Sequence, residues 1–426
     1  MNYRIYANLA ENARDILQRI EQVVAELEQT GRLSVPFNLL SIYNHASLDQ
    51  FRAGYWQRAY ELNQQINALF RIRAFREMTG LGGEARANVL LNLARLWVAQ
   101  GKPAEATICL EPLLKLEQPR YDLILPEIVR GYQASREYAA GLAGLENLVV
   151  EGLVKADNST WRRSKAQLLV DLKRYDEALQ IYNELSLPGE GPGRGWLILE
   201  RAGLEYALGR ESVAHQGYAQ VEELLDSIGS EPMQLTGASL LRLVLAKAWQ
   251  EAGNFTAAES LYSRVADQTE KAGLEGIAIR AEIARCKLAG LQGMLPAIGV
   301  VSRLENLVAT SGYRQEVLEA RLALAEAYLS PAANPARQAQ GIAHLIQVAL
   351  DNTSQPTLAI RAAVDRATTR MAELGLELPQ ESLPQPEPAI LTTTYQAVSN
   401  LSAHLKKLVT AGPVVEQKEA SLSAAL

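Results

Sequence analysis

One phrase recurs along this chain and constrains its fold more than any other feature. It consists of an apolar-periodic helix, a short polar turn, and a second helix centred on alanine. The phrase reads LNLARLWVAQGKPAEATICLEPLL at 91–114, AQLLVDLKRYDEALQIYNEL at 166–185 and LVLAKAWQEAGNFTAAESLYSRV at 243–265. Shorter variants are RAGYWQRAYELNQQI at 52–66, GYQASREYAAGLAGLENLV at 131–149 and EYALGRESVAHQGYAQV at 205–221. Each copy is one helical hairpin. A hairpin cannot bury its apolar face alone, so the copies must stack into an array.

Aligned on their turns, the copies share positions. The 87–120 copy has a large residue at Leu90, a Leu–small pair at Leu93 and Ala94, and an aromatic at Trp97. Gly101 then turns the chain, and Ala106, Leu110 and Leu113 follow. The 239–272 copy runs Arg242, Leu245, Ala246, Trp249, Gly253, Ala258, Tyr262 and Val265 in the same order. The 159–192 copy keeps Tyr175, Ala178, Tyr182 and Leu185, but has Arg162 and Lys165 where apolar residues belong. This spacing resembles the tetratricopeptide family, whose repeat is 34 residues long. The physics stands apart from the name: small residues let two helices approach closely, and the large ones fill the remaining volume.

The fold expected is all-α: a right-handed α-solenoid of roughly eight antiparallel helix pairs, with amphipathic terminal helices. The pairs occupy about residues 40 to 350, or about 39 residues each, and the copies after residue 273 have no clear register. Long, irregular repeats of this kind look like the superhelical sensor arms of bacterial maltose-regulator-type proteins, and like the peptide-sensing repeats of quorum regulators. The chain nevertheless shows no nucleotide-binding domain and no recognisable helix-turn-helix beside the repeats.

Five segments are expected. Residues 1–38 carry an N-terminal amphipathic or capping helix, and 39–376 the repeat solenoid. A proline-rich linker spans 377–390, a C-terminal amphipathic helix 391–411, and a disordered tail 412–426. In the first helix, Tyr6, Ala13, Ile20 and Leu27 form one row, with Leu9, Ile16 and Val23 in another. Rows spaced by seven and offset by four suit either a cap on the first repeat or a dimerising coiled coil. The C-terminal helix aligns Leu391, Val398 and Leu405 with Leu401 and Leu408.

Composition agrees with helices and excludes several chemistries. Apolar residues make up 48 % of the 426 and charged residues 21 %, so a core can form. Aromatics, at 6 %, are too few for an all-β protein. The net charge of −6 argues against bulk attraction to nucleic acid or anionic membrane. No apolar run approaches the ~18 residues that cross a bilayer, and residues 1–15 do not read as a secretory signal. A soluble cytoplasmic protein is expected.

Two cysteines, Cys109 and Cys286, make neither a disulfide framework nor a Cys-based zinc site. Arg285 and Lys287 flank Cys286 and could activate it, though burial in a helix interface is the reading preferred. His45, His215, His344 and His404 are scattered, with only His45 and Asp49 at contact spacing. The glycine-rich run 188–195 has no preceding strand and no Gly-Lys-Ser/Thr ending, so it reads as an inter-repeat linker rather than a phosphate loop. Gly80–Leu81–Gly82–Gly83 fails the same test. No enzyme, cofactor or metal is expected.

The resemblance implies a groove lined by the first helix of each pair. Carried over position by position, it gives Asn88, Leu91 and Arg95 in one copy, and Arg130 with Gln133 in the next. Arg163 and Gln167 follow, then Trp196, then Lys247 with Gln250. Trp97 and Trp249 are assigned to the core. Four cations at inward positions suggest an acidic peptide or a carboxylate as ligand, since Arg grips carboxylates as a bidentate fork. The expected function is thus a non-catalytic scaffold or adaptor that binds a protein or peptide in its concave groove. The alternative is a signal-responsive regulator whose groove ligand or C-terminal helix switches partner binding. A weaker alternative is an oligomeric component that self-associates through its terminal helices.

Overall fold

The computed structural model describes residues 9–33, 36–81, 83–185, 192–228, 232–311, 313–351, 353, 356–377 and 389–410. Nearly all of the proline-rich linker, the tail from Gly412, the start of the first helix and part of the 188–195 run lie outside them. Among the described residues there are twenty helices and no strand. The fold is a tetratricopeptide-like helical-repeat solenoid.

Successive helices pair as the recurring phrase requires. α5 (Gly83–Ala99) packs on α6 (Pro103–Leu114), α7 (Tyr121–Ser135) on α8 (Tyr138–Val150), and α9 (Ser159–Asp171) on α10 (Tyr175–Glu184). α11 (Pro192–Ala207) pairs with α12 (Glu211–Ser227), and α13 (Pro232–Glu251) with α14 (Phe255–Lys271). α15 (Glu275–Leu291) then meets α16 (Ile298–Thr310), and α17 (Arg314–Tyr328) meets α18 (Pro335–Ala349). The first helix of one pair also packs on the first helix of the next, as α5 does on α7 and α15 on α17.

The turns repeat as faithfully as the helices. One left-handed residue breaks the chain within each of six pairs: Gly101, Arg136, Lys173, Gly209, Gly253 and Gly293. Side chains cap several of the helix starts. Asn158, Asn254 and Asn334 each accept a hydrogen bond from a free amide of the first turn that follows. Inside the pairs, Leu93, Ala94, Ala106, Leu110, Leu245, Ala246, Ala258 and Val265 are all buried, as the shared positions demand.

Arg242, at a position meant for a large apolar residue, is buried as well. Its guanidinium donates to the Leu225 carbonyl at the C-terminal end of α12 and to Gln268 Oε1. Arg201 does the same for α10, donating to the carbonyls of Tyr182 and Leu185. A cation at a helix C-terminus satisfies carbonyls that have no partner within the helix.

The two ends of the chain form one bundle. α1 (Leu9–Thr30), α2 (Pro36–Arg52) and α3 (Trp56–Phe70) pack with α20 (Ala389–Thr410), which also touches α4 (Arg73–Thr79). Ala13, Ile16, Val23 and Leu27 of α1 are buried, and so are Leu391, Val398, Leu401 and Leu405 of α20. These four α1 residues of the rows that suited a dimer seam are therefore covered within the chain, where α1 packs against α2 and α20. Likewise α20 lies on α1, α2 and α3. Polar contacts lock it there: Tyr43 bonds Ser402, Gln50 Nε2 donates to the Leu391 carbonyl at 2.7 Å, and the Tyr395 hydroxyl bonds Glu61 at 2.5 Å.

A second junction closes the array. The turn between α2 and α3 meets the start of α17, where Arg52 Nε pairs with Glu316 at 2.8 Å and its guanidinium lies 3.5 Å over the Tyr313 ring. Ala53, Tyr313 and Leu391 make a small apolar core there. Further along the same seam, α19 (Leu358–Glu373) touches the turn between α5 and α6. Arg361 donates to the Gln100 carbonyl at 3.0 Å, and the Leu358 side chain fills the space beside Gly101.

Candidate binding surface

The first helices share a face, and polar side chains cross it at two stretches, from α2 to α11 and from α15 to α19. Asn92 of α5 bonds Asn44 of α2 at 2.9 Å. Arg95 of α5 reaches Glu127 of α7 at 2.8 Å, and Gln133 of α7 reaches Asp171 of α9 at 2.7 Å. Arg163 of α9 forks onto both oxygens of Glu200 of α11 at 2.9 Å, with Gln167 joining at 2.9 Å. Further on, Lys287 of α15 and Arg366 of α19 converge on Glu319 of α17 at 2.8 and 2.6 Å.

Five of the ten residues expected in the groove, Arg95, Arg130, Gln133, Arg163 and Gln167, take part in this ladder of contacts. Arg95 and Arg130 share Glu127, whose side chain is 3 % exposed while the two arginine side chains are 51 % and 59 % exposed. Arg163 is taken up by Glu200, and Lys247 pairs loosely with Glu251 at 3.5 Å. Arg95, Arg130, Arg163 and Lys247 therefore do not make a bare positive surface; each meets a carboxylate of the protein itself, Arg95 and Arg130 sharing one. Asn88 is exposed, Gln250 meets the Tyr262 hydroxyl at 3.4 Å, and Trp196 packs half-buried against the middle of the core. Leu91 belongs to the core and is buried, because its side of α5 faces the neighbouring helices.

Charge on the ladder follows from these contacts. Burial alone would lower the Arg163 pKa, but the charge and hydrogen bonds of Glu200 hold it above its usual value. Burial raises Asp171, with the Gln133 hydrogen bond opposing. At Glu319 burial works the same way, yet Lys287 and Arg366 together outweigh it and keep the carboxyl below its ordinary range.

The remaining chemical candidates resolve into packing. Cys286 is fully buried, donates to the Ala323 carbonyl at 3.3 Å, and burial pushes its thiol up to about 12. Its cationic neighbours in sequence do not activate it. His45 faces Ser41 at 3.5 Å rather than Asp49, and burial, then Arg19, holds its pKa down. No three His, Cys, Asp or Glu among the described residues could hold a metal ion, and no described helix is long and apolar enough to cross a membrane.

Sequence reasoning missed an aromatic cluster at the closing seam. Trp56 and Tyr60 of α3 stack at 5.2 Å, and Trp97 of α5 tilts against both at 5.0 Å. The Trp56 indole N–H donates to the Leu96 carbonyl at 2.8 Å. Trp97 was assigned to the core, yet it is only half-buried and lines a cavity. Trp249 is also half-buried, packed at 5.1 Å edge-on to Tyr218 and at 5.2 Å from His215.

No protein-family model and no curated protein matches this chain. Among solved structures, a tetratricopeptide repeat protein from Parabacteroides merdae is 14 % identical and superposes with a TM-score of 0.37, covering 66 % of this chain and 98 % of its own. A Rap protein, solved with Competence and Sporulation Factor, is 14 % identical with a TM-score of 0.37, over 87 % and 99 %. The TPR domain of P58(IPK) is 13 % identical with a TM-score of 0.23, over 84 % and 99 %. The likeness to maltose-regulator arms is not confirmed by these comparisons. The repeat class rests on the chain's own helix pairing and turns.

Proposed function

We propose that this protein is a non-catalytic scaffold that binds a protein or peptide partner on the face shared by its first helices. The observation that supports this is the Arg95–Glu127–Arg130 group. Two exposed arginine side chains share one buried carboxylate, so the group keeps one positive charge in excess. An acidic side chain or chain end on a partner completes it, with Arg163, Gln167 and Lys247 extending the contact along the array.

The test is affinity capture from the native host with mass spectrometry, comparing wild type with R95Q/E127Q/R130Q. The triple substitution removes the charges together and does not strand Glu127 as a buried, unpaired carboxylate. Circular dichroism checks its fold. A partner captured by wild type and lost with the variant supports the reading. A partner retained by the variant moves recognition elsewhere, and the absence of any specific partner counts against a scaffold.

A further inference from the structure

The aromatic cluster at the seam borders a cavity of ≈ 470 Å³ that the ladder does not use. Trp56, Tyr60, Trp97 and Pro356 supply its apolar lining, with Trp56 stacked on Tyr60 and Trp97 tilted against both. Lys102 and Arg361 stand at its rim, and the Lys102 ammonium is held 5.1 Å from the centre of the Trp97 ring. Gln57 and Gln100 complete the lining, and among the described residues no Asp or Glu lines it.

That last point separates this place from the ladder. Arg95, Arg130, Arg163, Lys287 and Arg366 all meet carboxylates. Lys102 and Arg361 form no ion pair among the described residues; the first rests on an indole and the second on the Gln100 carbonyl. In a chain of net charge −6, a cavity with two such cations and an aromatic wall selects for negative charge joined to a flat ring. A cationic ligand would be drawn to the rings but repelled by the rim.

We propose that this cavity binds a small planar anion, an aromatic ring seated on Tyr60 and Trp97 with its carboxylate or phosphate between Lys102 and Arg361. Because Trp97 and Arg361 come from opposite ends of the array, the ligand also bridges the seam. Its occupancy stabilises closure, and free ligand raises the melting temperature by mass action.

Calorimetry on the full chain tests this with two probes, adenosine 5′-monophosphate for a phosphate and indole-3-acetate for a carboxylate. Adenosine, indole, inorganic phosphate and acetate serve as the partial analogues. At least one probe is expected to bind one-to-one, about tenfold or more tighter than its neutral and non-aromatic analogues. Which probe binds identifies the anionic group. K102E and R361E lie on the surface and are each expected to weaken binding about tenfold, with the melting shift falling in parallel. The proposal is overturned if neither probe binds, if neutral analogues match the anions, or if the K102E/R361E double variant retains wild-type affinity.

Discussion

The hydroxyl of Tyr313 donates a 2.9 Å hydrogen bond to Oδ1 of Asp49, 264 residues earlier in the chain. The other oxygen of Asp49 accepts from Asn12 Nδ2 at 2.6 Å, so one buried carboxylate joins α1, α2 and the start of α17. Burial raises the Asp49 pKa from 3.8 to about 6, against the opposing effects of Asn12, Tyr313 and Arg52.

That shift has a definite sign. Between about pH 4 and 6 the folded chain binds more protons at Asp49 than the unfolded chain does. Its contribution to stability is therefore present at low pH and is lost as pH rises through about 6. Ionising this carboxyl in the folded state costs about 3 kcal/mol. Asp49→Asn retains an acceptor for Tyr313, and a turned Asn12 can accept the new amide through its Oδ1, which has no partner now. Relative to wild type, the variant should gain stability as pH rises from about 4 to about 6. Urea titrations across that range that fall in parallel for both proteins would refute the assignment.

α20 supplies core to the opposite end of the chain. Leu405 is wholly buried among N-terminal residues, and Leu405→Ala should cost about 2–5 kcal/mol. Truncation after residue 377 should go further, making α1–α3 sensitive to protease. An unchanged unfolding midpoint for the truncated chain would show that α20 only rests on the surface.

Gly101 and Gly253 share a left-handed conformation but not their surroundings. A Cβ at Gly101 would lie 3.1 Å from Leu358 of the seam, whereas nothing comes within 4 Å at Gly253. Alanine at either site bears the backbone penalty of about 1–2 kcal/mol. The excess loss in G101A over G253A then measures the seam contact, and equal losses would mean that the seam does not constrain this turn.

Lys173 and Arg136 adopt the same left-handed turn without being glycine, at φ 59° and 61°. K173G should raise stability by about 0.5–1 kcal/mol, because relief of strain exceeds the added freedom of the unfolded chain. A lower melting temperature for K173G would show that the lysine side chain holds the turn.

The two thiols should report folding separately. Cys109 is half-buried and its pKa is raised by burial, so it should react slowly with a disulfide reagent. Cys286 should react only as the chain unfolds. Two equivalents released from native protein at neutral pH would contradict this.

What the sequence revealed was periodic, and what it hid was not. Ala94, Ala106, Ala246 and Ala258 are legible because close helix packing demands small residues at fixed intervals, and all four are buried. Arg242 breaks that pattern for a reason no spacing carries, since its partner is a carbonyl at the end of another helix. The pairing of Arg95 with Glu127 was hidden similarly: positions define which residues face inward, but not which of them neutralise each other. Trp56, Tyr60 and Trp97 come together through the stacking of α3 on α5, and Pro356 and Arg361 reach them only because the array closes.

That closure fixes the number of hairpins between the joined segments. In an open repeat array each unit touches only its neighbours, so a unit can be gained or lost with little effect elsewhere. Here the turn after Arg52 must meet Tyr313 and Glu316, and Gly101 must meet Leu358. One hairpin more or fewer would carry those partners past each other. Repeat number in this protein is therefore under the same constraint as a ring with a set number of members, and variation is confined to side chains within a fixed count.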